Sequence, residues 1–307
     1  MKLYALAIAF FCHFTIMAQA SDFISTNVTV NTFVDGTLTF PNEAKNPSLA
    51  ILISDYGPID RDGNQNFQKN NLLKKLAEGL SSHGIATFRY DKRIVRQIQR
   101  GRVDKTITFD DFVTDAISII NYFKNSKQFK NIYVIGHGQG SLVGMIAAQE
   151  YADGFISLAG SAKTIDTVIL EQINKTVPGL VNESEKVFNV LRQGKTTDSF
   201  PPALASIFNK DTQPFMSSWM QYNPQEILKT LNMPVLIING TKDLQVPEDE
   251  AKQLHAAAPN SSLKIIENMN HVLFTIQGDD LENSKSYNES FRKLSEAVIP
   301  TLVDFIK

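Results

Sequence analysis

The chain has 307 residues, of which 43% are hydrophobic and 20% charged, and a formal net charge of −2. That balance suits one large globular core or two small ones, and it gives no global electrostatic case for nucleic acid or an anionic membrane as partner. Cys12 is the only cysteine, so the chain can form no disulfide of its own and offers little as a thiol nucleophile.

Residues 1–20 read as a signal peptide. Lys2 is the positive start, residues 3–17 are an apolar run too short for a spanning helix, and Ala18-Gln19-Ala20 is an A-x-A cleavage site. Cys12 leaves with that segment. The expected mature protein is therefore an exported domain, residues 21–307, periplasmic or secreted, with no membrane insertion after cleavage.

Alternation predicts a strand over 26–33 with a hairpin partner over 36–40. The continuous apolar run 48–54 predicts a strand buried on both faces. Helical spacing of Leu72, Leu73, Leu76 and Leu80 predicts a helix over 71–82, closed by Gly84, and a strand follows over 85–90. Next come Lys92, Arg93, Arg96, Arg100, Arg102 and Lys105. They read as a solvated loop, or else as a basic rim that attracts an anionic substrate. The pattern continues with a helix over 110–123, a strand over 132–135, a helix over 139–151 and a strand over 155–158. It resumes with a strand over 234–238, a helix over 248–258, a strand over 263–266 and a terminal helix over 283–306. Such alternation implies an α/β fold, a mostly parallel sheet with helices on both faces. Between the two blocks, about 161–231 is helical in pattern and broken by Pro178, Gly194, Pro201, Pro202 and Pro214. It reads as a helical cap over the edge of the sheet where ligands bind in open α/β folds.

The chemistry concentrates in three loops. Gly136-His137-Gly138-Gln139-Gly140-Ser141 joins a buried strand to a helix by a sharp glycine-rich turn, the setting of the G-x-S-x-G nucleophile elbow. Gly138 stands where the serine belongs. Asp243 lies just after the next buried strand, and His271 just after the one beyond, so nucleophile position, acid and histidine follow in the order of a hydrolase triad. Of the other histidines in the mature chain, His83 and His255 read as surface positions and His137 as the residue before the nucleophile position. In sequence no His or Cys pair has the spacing of metal ligands, so neither a metal site nor a cofactor is expected.

On these motifs the chain resembles the α/β-hydrolase superfamily, in its capped esterase and serine-aminopeptidase-like branch. The resemblance spans nearly all of the mature chain. It implies an α/β-hydrolase fold with a helical cap and a small-molecule ester or acyl substrate. It also implies Asp243 and His271 as catalytic acid and base, and an oxyanion hole from the backbone N–H groups of Gln139 and Tyr56. The loop that carries Tyr56, Asp55-Tyr56-Gly57-Pro58-Ile59-Asp60-Arg61-Asp62-Gly63, is similar to the corresponding hydrolase loop, with Asp60, Arg61 and Asp62 expected to form an ion-pair turn. Asp55 departs from the small residue usual at its position. A carboxylate there opposes the charge of an oxyanion unless it turns away. Phe215, Met216, Trp219, Met220 and Tyr222 are either core or the lining of a pocket for an apolar acyl or aromatic group.

Three readings of Gly138 follow. The chain is a variant of a serine hydrolase acting on carboxylic esters, weak or inactive for want of one hydroxyl; or it is a pseudoenzyme that binds or senses a small ligand; or His271 and Asp243 activate a water in the vacated space, oriented by Asp55. On the first reading, Gly138→Ser alone should raise esterase activity by orders of magnitude.

Overall fold

The structure is a computed structural model that describes residues 22–149 and 151–307; the signal-peptide reading of 1–20 falls outside them. Eight strands form one sheet: β1 (Phe23–Thr29), β2 (Asp35–Pro41), β3 (Leu49–Ile53), β4 (Ala86–Tyr90), β5 (Ile132–His137), β6 (Gly154–Leu158), β7 (Val235–Gly240) and β8 (Ser262–Ile266). Their order is β1-β2-β4-β3-β5-β6-β7-β8. β1 and β2 pair antiparallel with each other, and β2 with β4, whereas every pairing from β4 to β8 is parallel. The parallel strands β3, β4 and β6 are buried along their whole length; β3 is an unbroken apolar run, whereas β4 buries Thr87 and Arg89 and β6 buries Ser157.

Among the described residues eleven α-helices surround the sheet: α1 (Leu72–Ser81), α2 (Arg93–Gln99), α3 (Phe109–Ser126), α4 (Gln139–Ala148), α5 (Ile165–Thr176), α6 (Val181–Leu191), α7 (Gln213–Trp219), α8 (Pro224–Leu228), α9 (Glu248–Ala257), α10 (Asp280–Ser286) and α11 (Val298–Ile306). α1 and α11 seal one face through Leu73, Leu76, Leu80 and Leu302 against Leu52, Ile135 and Ile238. α3, α4 and α9 seal the other through Phe112, Ile119, Met145 and Leu254 against Ile51, Val134 and Ile237. The segment between β6 and β7 holds α5 to α8 and has a small core of its own, in which Val187, Phe188, Leu191, Leu204 and Phe208 are buried together.

Two sequence expectations change here. The basic stretch after β4 divides: Arg100, Arg102 and Lys105 are exposed at and beyond the end of α2, as a solvated loop would have them. Its first part folds as α2, and the guanidinium of Arg93 is buried against Asp115 at 2.7 Å and Asp111 at 2.6 Å. Arg96 pairs with Asp35 at 2.8 Å and Lys105 with Asp211 at 2.7 Å, while Lys92 turns into the interior. The acids that neutralise this run come from β2, α3 and the cap, all remote in sequence. The terminal helix expected over 283–306 is instead two helices. Pro300, third residue of α11, fits in a first helical turn but would break the interior of a longer helix. Between α10 and α11 the chain crosses back, and the Ser295 N–H donates to the Leu273 carbonyl at 2.7 Å, bracing the loop that carries His271.

Asp60, Arg61 and Asp62 do form a turn with ion pairs, although the partners lie outside it. Arg61 binds Asp91 at 2.5 Å and Asp62 binds Arg89 at 3.1 Å, while the Asp60 carboxylate accepts the N–H groups of Asp62 and Asn64. This ties the loop after β3 to the end of β4 and fixes where Asp55 and Tyr56 emerge.

Candidate active site

β5 runs into α4 through Gly138, whose φ of 52° and ψ of −118° strain any residue with a side chain. The flanking glycines let strand and helix cross at contact distance: a Cβ on Gly136 would lie 2.1 Å from the Gly140 carbonyl oxygen, and one on Gly140 would lie 2.5 Å from that of Ile53. Gly138 is different. Its missing Cβ would lie 1.9 Å from Oδ1 of Asp55. The carboxylate of Asp55 therefore occupies the space a nucleophile on the elbow would fill. Ser141 offers no substitute, because its hydroxyl is buried against that of Ser157 at 2.7 Å.

Asp55 makes two contacts there. Oδ1 accepts the Gln139 backbone N–H at 2.7 Å, at the N-terminus of α4, and Oδ2 lies 3.0 Å from Nε2 of His271. Nδ1 of His271 in turn lies 2.8 Å from Oδ2 of Asp243. The other oxygen of Asp243 accepts the N–H groups of Gln245 and Val246 at 2.8 and 2.9 Å, which fixes its carboxylate plane. Asn270 steadies the histidine loop through Asn283, Ser286 and the Phe274 N–H. The result is a continuous chain of hydrogen bonds: Gln139 N–H, Asp55, His271, Asp243.

The electrostatics follow from this sandwich. Burial alone would push the His271 imidazole down. The charge and hydrogen bond of Asp243, then those of Asp55, reverse this and raise it to about 10, so the ring is an imidazolium at neutral pH. Burial likewise opposes ionisation of Asp55, but the hydrogen bond and charge of His271, helped by the Gln139 N–H, hold its carboxyl well below the usual range. His137 packs beside His271 with ring centroids 4.7 Å apart and donates through Nε2 to the His271 carbonyl at 2.8 Å; burial and then the His271 charge push it down, so it stays neutral. Beneath the site, the ammonium of Lys92 donates to the Asp55 carbonyl and to Oε1 of Gln139, and burial lowers it to about 8, partly offset by the Asp55 charge.

Asp55, His137 and His271 each bring one possible metal-ligand atom to within 4.8 Å of the others, a cluster that sequence spacing did not reveal. Asp55 and His271 spend those atoms on each other, and the arrangement reads as an ion pair.

A cavity of about 200 Å³ opens onto Asp55 and His271, lined also by Tyr56, Gln65, Gln245 and Tyr287. Phe215, Met216 and Trp219 do not line it. Phe215 packs on Phe109 and Phe112, and Met216 on the core of the cap. Trp219 stacks between Phe109 and Tyr56, with centroids 5.7 and 5.8 Å apart. Trp219 thus reaches the site only through Tyr56, and the cavity wall mixes amides and the rings of Tyr56 and Tyr287 with apolar residues such as Leu72 and Val272, none of them from the cap. Lys92 and Tyr287 were missed in the sequence: Lys92 was hidden in a run of surface-type cations, and Tyr287 carries no motif.

Three features stand against a serine mechanism on the elbow: position 138 carries no hydroxyl, the Gln139 N–H is occupied by Asp55, and the carboxylates of Asp243 and Asp55 favour the protonated form of His271. The vacated space is filled by the Asp55 carboxylate, which corrects the reading that it holds a catalytic water.

Comparison with known proteins agrees with the architecture. The family described as serine aminopeptidase, S33, matches residues 68–200. Esterase EstD of Thermotoga maritima is 29% identical over 259 residues, 82% of this chain; the chain spans 60% of the length of that relative. Among solved structures, Est1E from Butyrivibrio proteoclasticus with ferulic acid bound is similar at a TM-score of 0.59 and 18% identity, over 92% of this chain and 99% of that one. The α/β hydrolase GrgF from Penicillium sp. sh18 is similar at 0.58 and 16%, over 93% and 98%. The fold is the α/β-hydrolase fold; the family model and the esterase are likenesses of part of the chain.

Proposed function

We propose that this chain is an ester-hydrolase-derived protein whose site takes small carboxylic esters or related acyl compounds, and in which serine-type turnover is held near zero by Asp55. The single observation that carries this reading is the Asp55 carboxylate bridging the Gln139 N–H and His271 Nε2. In that position it imitates the carboxylate product of ester hydrolysis, one oxygen in the oxyanion hole and one against the histidine. Asp243 and His271 keep the roles of acid and base in form, and Tyr56 and Gln139 keep the positions of the oxyanion donors.

The test is a pair of variants assayed with p-nitrophenyl acetate. Gly138→Ser alone stays as inactive as the parent, because its Cβ collides with Asp55. Asp55→Gly combined with Gly138→Ser gains activity on the order of 10²–10³-fold, the worth of an oxyanion hole set free. If the double variant is folded and inert, the reading is wrong.

A second reading, a pseudoenzyme that binds or senses a small ligand, draws on the same closed ion pair. It predicts that an ester such as ethyl ferulate raises the melting temperature without being consumed. The leader-like residues 1–20 support export to the periplasm or the medium, which fractionation of expressing cells would test.

A further inference from the structure

A carboxylate with one oxygen polarised by a helix N-terminal N–H, the other beside a His–Asp pair, and a cavity at its open side is more than a plug. We propose that Asp55 is itself a nucleophile, and that the protein hydrolyses small molecules bearing an electrophilic sp³ carbon, primary alkyl halides or epoxides. This goes beyond the acyl-ester reading, and the two are tested by different readouts.

The chemistry separates the two substrate classes. Attack of a carboxylate on an ester's acyl carbon gives a mixed anhydride and must expel an alkoxide far more basic than itself, so it runs backwards. Attack on an sp³ carbon displaces a halide, or opens a strained ring, and gives a stable alkyl ester. Asp55 is placed for this: its side chain is 19% exposed, and it lines the cavity together with His271 and Tyr56.

With a halide, Oδ2 of Asp55 forms a bond to the carbon while the carbon–halogen bond breaks and the halide leaves with its electron pair. The Asp55 charge is consumed, so His271 loses one of the two carboxylates that held its proton and releases it to solvent. The neutral imidazole, still oriented by Asp243 at 2.8 Å, then takes a proton from water as the hydroxide adds to Cγ of Asp55. The resulting oxyanion forms on Oδ1, which already accepts the Gln139 N–H at 2.7 Å. Collapse breaks the acyl C–O bond, and the alcohol leaves with the proton from His271. The carboxylic acid left on Asp55 returns its proton to His271. The sum is alkyl halide plus water to alcohol plus hydrogen halide. With an epoxide, the opened alkoxide takes the first His271 proton in place of solvent. Tyr287 lines the same cavity, and its buried hydroxyl has no hydrogen-bond partner of regular geometry among the described residues, which leaves a donor for the departing atom.

The experiment uses 1-bromobutane, with 1,2-epoxybutane in parallel. Wild-type protein turning over in ¹⁸O-water should acquire ¹⁸O in Asp55, read by tandem mass spectrometry of the 46–61 tryptic peptide, which separates Asp55 from Asp60. His271→Gln should accumulate one butyl group on Asp55. Asp55→Asn should lose bromide release by at least 100-fold. Folding is checked by circular dichroism; should Asp55→Asn not fold, the His271→Gln adduct and the ¹⁸O label decide the matter by themselves. Bromide release that persists in folded Asp55→Asn, or the absence of both label and adduct on Asp55 with both electrophiles, overturns the proposal.

Discussion

The two halves of the site differ in what they present to the cavity. On the β7–β8 side, Asp243 and His271 stand 2.8 Å apart with every supporting hydrogen bond in place, an arrangement a serine hydrolase could use unaltered. On the β3–β5 side, the elbow carries no side chain and the loop after β3 presents the Asp55 carboxylate in its place. Gly138 and Asp55 read as a single exchange, because the space vacated at one position is the space filled from the other. The lesson is that a missing nucleophile cannot be judged at its own position; the loop across the cavity determines what replaces it.

The comparison can be broken most sharply at the exchange itself. Reversing both positions should raise esterase activity by orders of magnitude, and reversing either alone should not, a non-additivity that a double-mutant cycle on p-nitrophenyl acetate measures. Next in size is stability. Asp55→Asn leaves His271 with one carboxylate in place of two and breaks a partly buried ion pair, so urea denaturation at pH 7 should show a loss of about 2 kcal/mol, short of the roughly 3–5 kcal/mol of a fully buried pair.

The third expectation is a pH dependence. The native His271 holds its proton up to about 10, whereas an unfolded histidine releases it near its ordinary value of 6.5. Its contribution to stability is therefore complete below 6.5 and declines as pH rises toward 10. Lys92 acts the other way, since its burial cost is relieved only above about 8. Between pH 6.5 and 8 the histidine dominates this pair, and stability should fall by up to about 1.4 kcal/mol per pH unit. Asp55→Asn should flatten that slope. If wild type and variant fall in parallel, His271 is not held as an imidazolium by Asp55. The smallest effect belongs to Lys92→Met. It removes the donor to the Asp55 carbonyl and to Gln139, together with the ammonium over the Phe112 ring, so a loss of about 1 kcal/mol is expected from thermal melts.

The parallel sheet, the elbow with its glycines and the positions of Asp243 and His271 were all legible from the chain. Each is written locally: buried strands as mostly apolar runs, helices by their spacing, and the sharp turn by glycines that no other residue can replace. The charge pairing of α2 and the break before α11 were less legible, because each depends on a distant partner or on where a crossing segment is anchored. The cap residues Phe215, Met216 and Trp219 could be read as an apolar cluster, but not as one facing Phe109 and Phe112 and away from the cavity.

Asp55 shows where sequence ends. Alone it determined that a carboxylate stands on the oxyanion loop and that a hydroxyl is missing from the elbow, two departures 83 positions apart. Only the tertiary structure decided that they are one feature. Parallel pairing of β3 with β5 brings the two loops to the same edge of the sheet, and at that distance the carboxylate, the helix N–H and the imidazole neutralise one another. Whether a charge opposes an oxyanion or takes its place depends on ångström distances across a cavity, which the order of residues along a chain does not encode.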